Sequence, residues 1–162
     1  MSEFKLEFEP LGDTEIVMTR KFRAPRELVF RAYTDPVMVK KWMCPPCGES
    51  TMLVIDTSIG GVWRHKIDMG EHGTFDSFGQ TLEFDAPNRI VRSDVVNIPG
   101  ARENIATETT TFSEEDGVTT LQLVVRHLSK EIRDQNIAFT EGSCSAYDAL
   151  ELVLEEVQSA GV

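Results

Sequence analysis

No run of apolar residues in this 162-residue chain approaches the ~20 needed to cross a bilayer as a helix, so a membrane role is not expected. The opening "MSEFKLEFEP" is acidic and lacks the basic start and apolar core of an export signal, which makes the cytoplasm the expected location. Cysteine is scarce: three residues, an odd number, exclude a disulfide framework as the source of stability. Positive charge is in deficit, with 16 Lys and Arg against 27 Asp and Glu and a formal net charge of −11. A surface of that sign repels nucleic-acid phosphates and anionic lipid, leaving neutral, apolar or basic partners. Repeats, low-complexity tracts and internal linkers are missing too. What is there, 41% hydrophobic and 27% charged residues, fits one domain large enough to enclose a core. Residues 1–13 read as a loosely held N-terminal segment and 14–162 as the domain.

Two of the cysteines stand close together in "KKWMCPPCGEST", as Cys44 and Cys47. A redox dithiol of this spacing belongs at the start of a helix, where amide dipoles stabilise the thiolate; here Cys44 follows a predicted helix and Pro45 helps to end it. For zinc the spacing is right, but further ligands would have to come from distant His65, His72, His127 or Cys144, with no second paired motif. The favoured reading is a connector stiffened by its prolines, with redox sensing and metal binding as the alternatives. Neither a metal nor a cofactor is called for.

The pattern of elements is clearer. "TEIVMTRKF" alternates as a strand with Ile16, Met18 and Phe22 on one face. "APRELVFRAY" puts Leu28, Val29 and Ala32 at helical spacing after Pro25, and "TDP" restarts the chain with Asp35 as cap and Pro36 in the next first turn, so two short helices follow the first strand. Segments "STMLVID", "VWRHKIDM", "TFDSFGQTLEF", "IVRSDVVN" and the hairpin folded at Glu114–Gly117 bring the total to about seven strands. Gly79 is read as marking a bulge. From Ser129 the period becomes helical, with Phe139, Cys144, Tyr147, Leu150, Val153, Leu154 and Val157 along one stripe. The predicted class is α+β: a curved antiparallel sheet around a long C-terminal helix.

The signatures "FRAPRELVFRAYTDPVMVKKW", "GGVWR", "DAPNRIV" and "RDQNIAFTEGSCSAYDALELVL" resemble the activator of heat-shock-protein-90 ATPase homologue family. This family lies within the START-like, polyketide-cyclase-like (SRPBCC) superfamily. The resemblance spans about Glu15 to Glu156. It implies a helix-grip fold for residues 14–162, with a cavity between the curled sheet and the last helix that different members use for apolar small molecules. It selects no ligand, since one fold hosts many functions.

Alternation supplies the candidate lining. Trp63, His65, Ile67 and Met69 share one face of "VWRHKIDM", and Leu121, Leu123, Val125 and His127 share one face of "LQLVVRH". With Trp42, Met52 and Val54 from the wall and Phe139, Ser143 and Tyr147 from the roof, the predicted ligand site is Trp42, Met52, Val54, Trp63, His65, Ile67, Leu123, Val125, Phe139, Ser143 and Tyr147. Such a surface suits an apolar or aromatic small molecule; the competing reading is a filled core. No motif sets nucleophile, base and oxyanion donor together, so catalysis has only isolated candidates: His65 or His127 as acid or base, Tyr147 as donor, and Arg92 or Arg126 as an anion clamp. The leading expectation is a non-catalytic carrier or sensor. A cyclase, dehydratase or hydrolase in the same cavity, and a chaperone-interacting protein acting through its outer surface, are the alternatives. Nothing in the sequence sets the oligomeric state.

Overall fold

In the computed structural model, residues 4–43, 48–97, 104–142 and 145–160 are described. Eight strands form one antiparallel sheet in the order β1-β2-β8-β7-β6-β5-β4-β3. They are β1 (Glu7–Leu11), β2 (Glu15–Phe22), β3 (Glu49–Ile55), β4 (Val62–Asp68), β5 (Thr74–Asp85), β6 (Arg89–Asn97), β7 (Asn104–Glu115) and β8 (Val118–His127). Helices α1 (Arg26–Thr34) and α2 (Pro36–Trp42) follow β2, and α3 (Lys130–Gly142) and α4 (Ser145–Ala160) close the chain. This is the helix-grip arrangement expected, with one strand more than the seven counted.

The extra strand is β1. The expectation of a loosely held segment over residues 1–13 is corrected at residues 7–11, which pair with β2 from Glu7↔Thr19 to Leu11↔Glu15. Leu6 and Phe8 pack against the core and hold this edge strand in place. A second correction concerns Gly79. The register of β5 against β6 shifts between Thr81 and Glu83, so the bulge lies beyond it. Glycine is needed at 79 because a Cβ there would sit 1.8 Å from the Ser93 carbonyl oxygen.

Local chemistry accounts for the joints. Asp35 accepts a hydrogen bond from the Val37 amide at 2.9 Å and Pro36 occupies the first turn of α2, satisfying one orphan donor and omitting another. The β7–β8 hairpin turns on Asp116 and Gly117, both with positive φ (53° and 78°), the backbone that a two-residue loop between twisted strands requires.

The core joins β2, α1, α2, β8 and α4: Ile16, Phe22, Val29, Tyr33, Trp42, Leu121, Leu150 and Leu154 are all buried. Its aromatic members pack edge to face, Phe30 with Phe112 at 5.2 Å and Tyr33 with Phe112 at 5.6 Å between centroids. Two buried arginines fasten helices to the sheet. Arg20 of β2 reaches Asp148 at 2.8 Å and Glu151 at 3.0 Å on α4. Arg133 of α3 donates to the carbonyls of Gly12 (3.1 Å) and Glu15 (3.0 Å) at the β1–β2 turn. No helix among the described residues is long and apolar enough to cross a membrane.

Candidate functional site

Cross-strand register assembles a continuous concave floor. Met18 pairs with Leu123; Val125 lies opposite Glu108 and His127 opposite Ala106; Glu108 lies opposite Arg92; His65 lies opposite Ser77 and Ile67 opposite Phe75. Above this floor, Tyr33 of α1, Trp42 of α2 and Tyr147 of α4 border a half-open cavity of about 190 Å³. Trp42 touches both tyrosine rings, with centroids 5.2 Å and 6.3 Å away. The volume exceeds the ~150 Å³ that suffices for a benzene-sized guest and is below the ~300 Å³ at which drug-sized pockets begin.

Of the residues predicted to line a site, Trp42, Trp63, His65, Ile67, Leu123, Val125 and Tyr147 surround this cavity. Met52 and Val54 do not: they are 41% and 45% exposed on the opposite face of β3. The register of β3 against β4 shifts between Ser50 and Met52. The residues beside His65 and Trp63 are therefore Leu53 and Ile55, and the parity of Met52 and Val54 is reversed. Ser143, Cys144, Cys44 and Cys47, as well as the side chain of Phe139, lie outside the described residues. Among the described residues no group of three or more His, Cys, Asp and Glu could hold a metal ion.

The cavity is more polar than alternation suggested. Arg92, Asp94, Glu108 and Ser77 enter it from β5, β6 and β7. The Arg92 guanidinium lies 4.1 Å from the Trp63 ring centroid and 5.7 Å from that of Tyr33, a cation–π arrangement. Its Nε is 3.7 Å from Glu108 Oε2. Ser77 donates to Asp94 Oδ1 at 2.6 Å, and Asp94 also shares a hydrogen bond with Glu108. Burial, reinforced by the Glu108 carboxylate, pushes the Asp94 carboxyl well above the usual range. Arg126, the other proposed anion clamp, is on the outer side, exposed and 3.4 Å from Glu15.

The catalytic candidates are less available than their identities suggest. His65 exchanges a hydrogen bond with Ser50 Oγ at 2.9 Å, and burial together with Lys40 pushes its pKa down. Burial also lowers His127. The Tyr33 hydroxyl, its pKa raised by burial, is engaged with Thr110 and Tyr147. Asp94 and Glu108 were missed because a charge within a strand reads as solvent-facing. Parity did hold the signal, since Ile90, Arg92 and Asp94 share one face of β6 and Ala106, Glu108, Thr110 and Phe112 share one face of β7.

Comparison with known proteins agrees with this architecture. A Rhodobacter sphaeroides protein superposes with a TM-score of 0.85 at 22% identity, over 94% of this chain and 99% of that one. A Mycobacterium smegmatis protein does so at 0.81 and 22%, over 93% and 97%, and one from Staphylococcus epidermidis at 0.76 and 24%, over 92% and 93%. At these identities the likeness shows the fold. No functionally curated protein matches the sequence. Residues 23–155 match the family described as "Activator of Hsp90 ATPase homolog 1-like protein". With most of its length inside that match, the chain belongs to the Activator of Hsp90 ATPase homolog 1-like family, within the SRPBCC fold.

Proposed function

We propose that the protein binds a small aromatic molecule between the inner sheet face and α4, as a carrier or sensor. The observation that carries this reading is the aromatic enclosure: Tyr33, Trp42, Trp63 and Tyr147 all face one cavity of single-ring size. Rings supply apolar area and stacking at little conformational cost, while a few polar groups fix orientation. The SRPBCC fold commonly accepts hydrophobic ligands, and a cavity of about 190 Å³ narrows the class to single-ring compounds over long-chain lipids.

Both tryptophans of the chain, Trp42 and Trp63, line the cavity, so intrinsic fluorescence reports on its occupancy. Titration with toluene and phenol should give a saturable change in emission and a ligand-dependent rise in melting temperature. Ala146→Phe, which projects a ring into the cavity from α4, should abolish both responses while the variant still unfolds cooperatively. Emission changes that never saturate, or that survive in Ala146→Phe, would refute the reading.

One observation favours a second reading, proton-transfer catalysis in the same cavity: Asp94 is buried among the lining residues, which raises its carboxyl well above the ordinary range, as a general acid requires. Asp94→Asn would then abolish turnover of a bound carbonyl compound without weakening its binding. Unchanged turnover in that variant would dismiss Asp94 as the acid.

A further inference from the structure

Within the cavity, donors and acceptors do not balance. Asp94 is engaged by Ser77 and Glu108, the Tyr33 hydroxyl by Thr110 and Tyr147, His65 by Ser50, and the Trp42 indole donates to the Ala32 carbonyl at 2.9 Å. Two buried donor groups are left over. Trp63 Nε1 has no hydrogen-bond partner, yet it is sealed off even from water and lies out of a guest's reach. The Arg92 guanidinium, 6% exposed, has its nearest carboxylate oxygen at 3.7 Å from Nε, beyond hydrogen-bond reach, and its other neighbours are the ring faces of Trp63 and Tyr33. A buried donor without an acceptor is costly, so a guest that displaces water from this cavity must bring acceptor atoms of its own.

Charge narrows the guest further. Arg92 already faces the Glu108 carboxylate, 3.7 Å from its Nε, so its charge is opposed before anything binds. Arg133, the cation nearest His127, is itself held by Asp134 at 2.8 Å and by two carbonyls. Lys40 beyond His65 is exposed to solvent. An anionic guest would add an uncompensated charge in a site of low dielectric, whereas a neutral carbonyl would satisfy the donors without that penalty.

We propose that the site selects an uncharged single-ring aromatic bearing a carbonyl acceptor, an aryl amide, ketone or aldehyde, whose oxygen is held by Arg92. This rests on the aromatic-binding reading above and adds the polar half of the recognition.

The test compares benzamide, toluene and benzoate by NMR titration of the uniformly 15N-labelled protein. The side-chain N–H of Arg92 is the reporter of the bond to the guest oxygen, and toluene, which has no acceptor, is the control. Benzamide should bind about 10-fold tighter than toluene, the worth of one additional net hydrogen bond of ~1.4 kcal/mol, and should move the Arg92 side-chain N–H proton downfield where toluene does not. Benzoate should bind at least about 10-fold more weakly than benzamide. Arg92→Met should bring benzamide down to the affinity of toluene. Glu108→Gln, which unmasks the charge of Arg92, should shift preference towards benzoate. The wild-type series stands by itself if Arg92→Met fails to fold. Equal affinities for benzamide and toluene, or an Arg92 signal that stays put with benzamide, would overturn the carbonyl assignment and leave aromatic binding intact. Benzoate binding tighter than benzamide to the wild type would overturn the neutrality argument. Saturable binding by none of the three would remove this inference together with the aromatic-binding reading.

Discussion

Arg20 ties α4 to β2 through two carboxylates, and replacing it with methionine tests the worth of that clamp. The guanidinium is buried, but its two carboxylate partners are not equivalent: Asp148 is 71% exposed and Glu151 19%. Solvent screens the Asp148 arm, which is worth well under ~1 kcal/mol. The Glu151 arm is a charge-assisted hydrogen bond at 3.0 Å in a largely dry setting, worth roughly 1.5–3 kcal/mol. Methionine retains most of the stem packing against Phe22, over whose ring the Arg20 guanidinium lies at 5.4 Å. The expected loss in Arg20→Met is therefore about 2–3 kcal/mol, or a fall in melting temperature of about 5–10 °C for a chain of this size. Urea denaturation followed by circular dichroism measures the first and calorimetry the second. Asp148→Asn should cost less than ~1 kcal/mol, and a double-mutant cycle between Arg20→Met and Glu151→Gln should return a coupling of roughly 1–2 kcal/mol. If Arg20→Met changed stability by less than ~0.5 kcal/mol, or Asp148→Asn cost as much as Glu151→Gln, the view of a buried clamp governed by Glu151 would be wrong.

The acid–base groups of the cavity pull stability in opposite directions with pH. Asp94 holds in the folded state a proton that the unfolded chain releases above ~3.9. Its stabilising contribution is full below that value and is lost as pH rises through the raised folded pKa. Asp94→Asn should remove this decline in urea denaturation measured across pH, and an unchanged profile would refute it. His65 and His127 have lowered folded pKa values, so their contribution is full above ~6.5 and is lost as pH falls through the folded values. A His65→Gln, His127→Gln double variant should lose less stability on acidification than the wild type. Gly79→Ala drives a methyl into the Ser93 carbonyl and should destabilise by at least ~1–3 kcal/mol; a neutral result in the same assay would mean that β5 can move aside. Serine at both Cys44 and Cys47 should leave the melting temperature unchanged, and elemental analysis of the wild type should find no stoichiometric zinc.

How much was legible depended on whether a residue's face follows from its own strand. In β4 and β8 the charged and amide residues Arg64, Lys66, Asp68, Gln122 and Arg126 all fall on one parity, so the inward positions of Trp63, His65 and Ile67, and of Leu123, Val125 and His127, could be read directly, because side chains change face with every residue. The cap at Asp35, the Asp116–Gly117 turn and the stripe running through Tyr147, Leu150 and Leu154 were equally local, each set by backbone chemistry within a few residues. In "STMLVID" both parities are apolar, and only pairing with β4 showed the register shift that turns Met52 and Val54 outward. Arg92 was offered only as an isolated anion clamp, and its carboxylate neighbours Asp94 and Glu108 were hidden for a different reason. A charge becomes tolerable in an interior only when its partners are close by, and those partners come from separate strands, with Glu108 across β7 and Ser77 across β5. Local sequence determined the elements and most of the apolar lining. The tertiary structure decided the polarity of the cavity, because compensation of buried charge is a property of the assembled sheet and of no single strand.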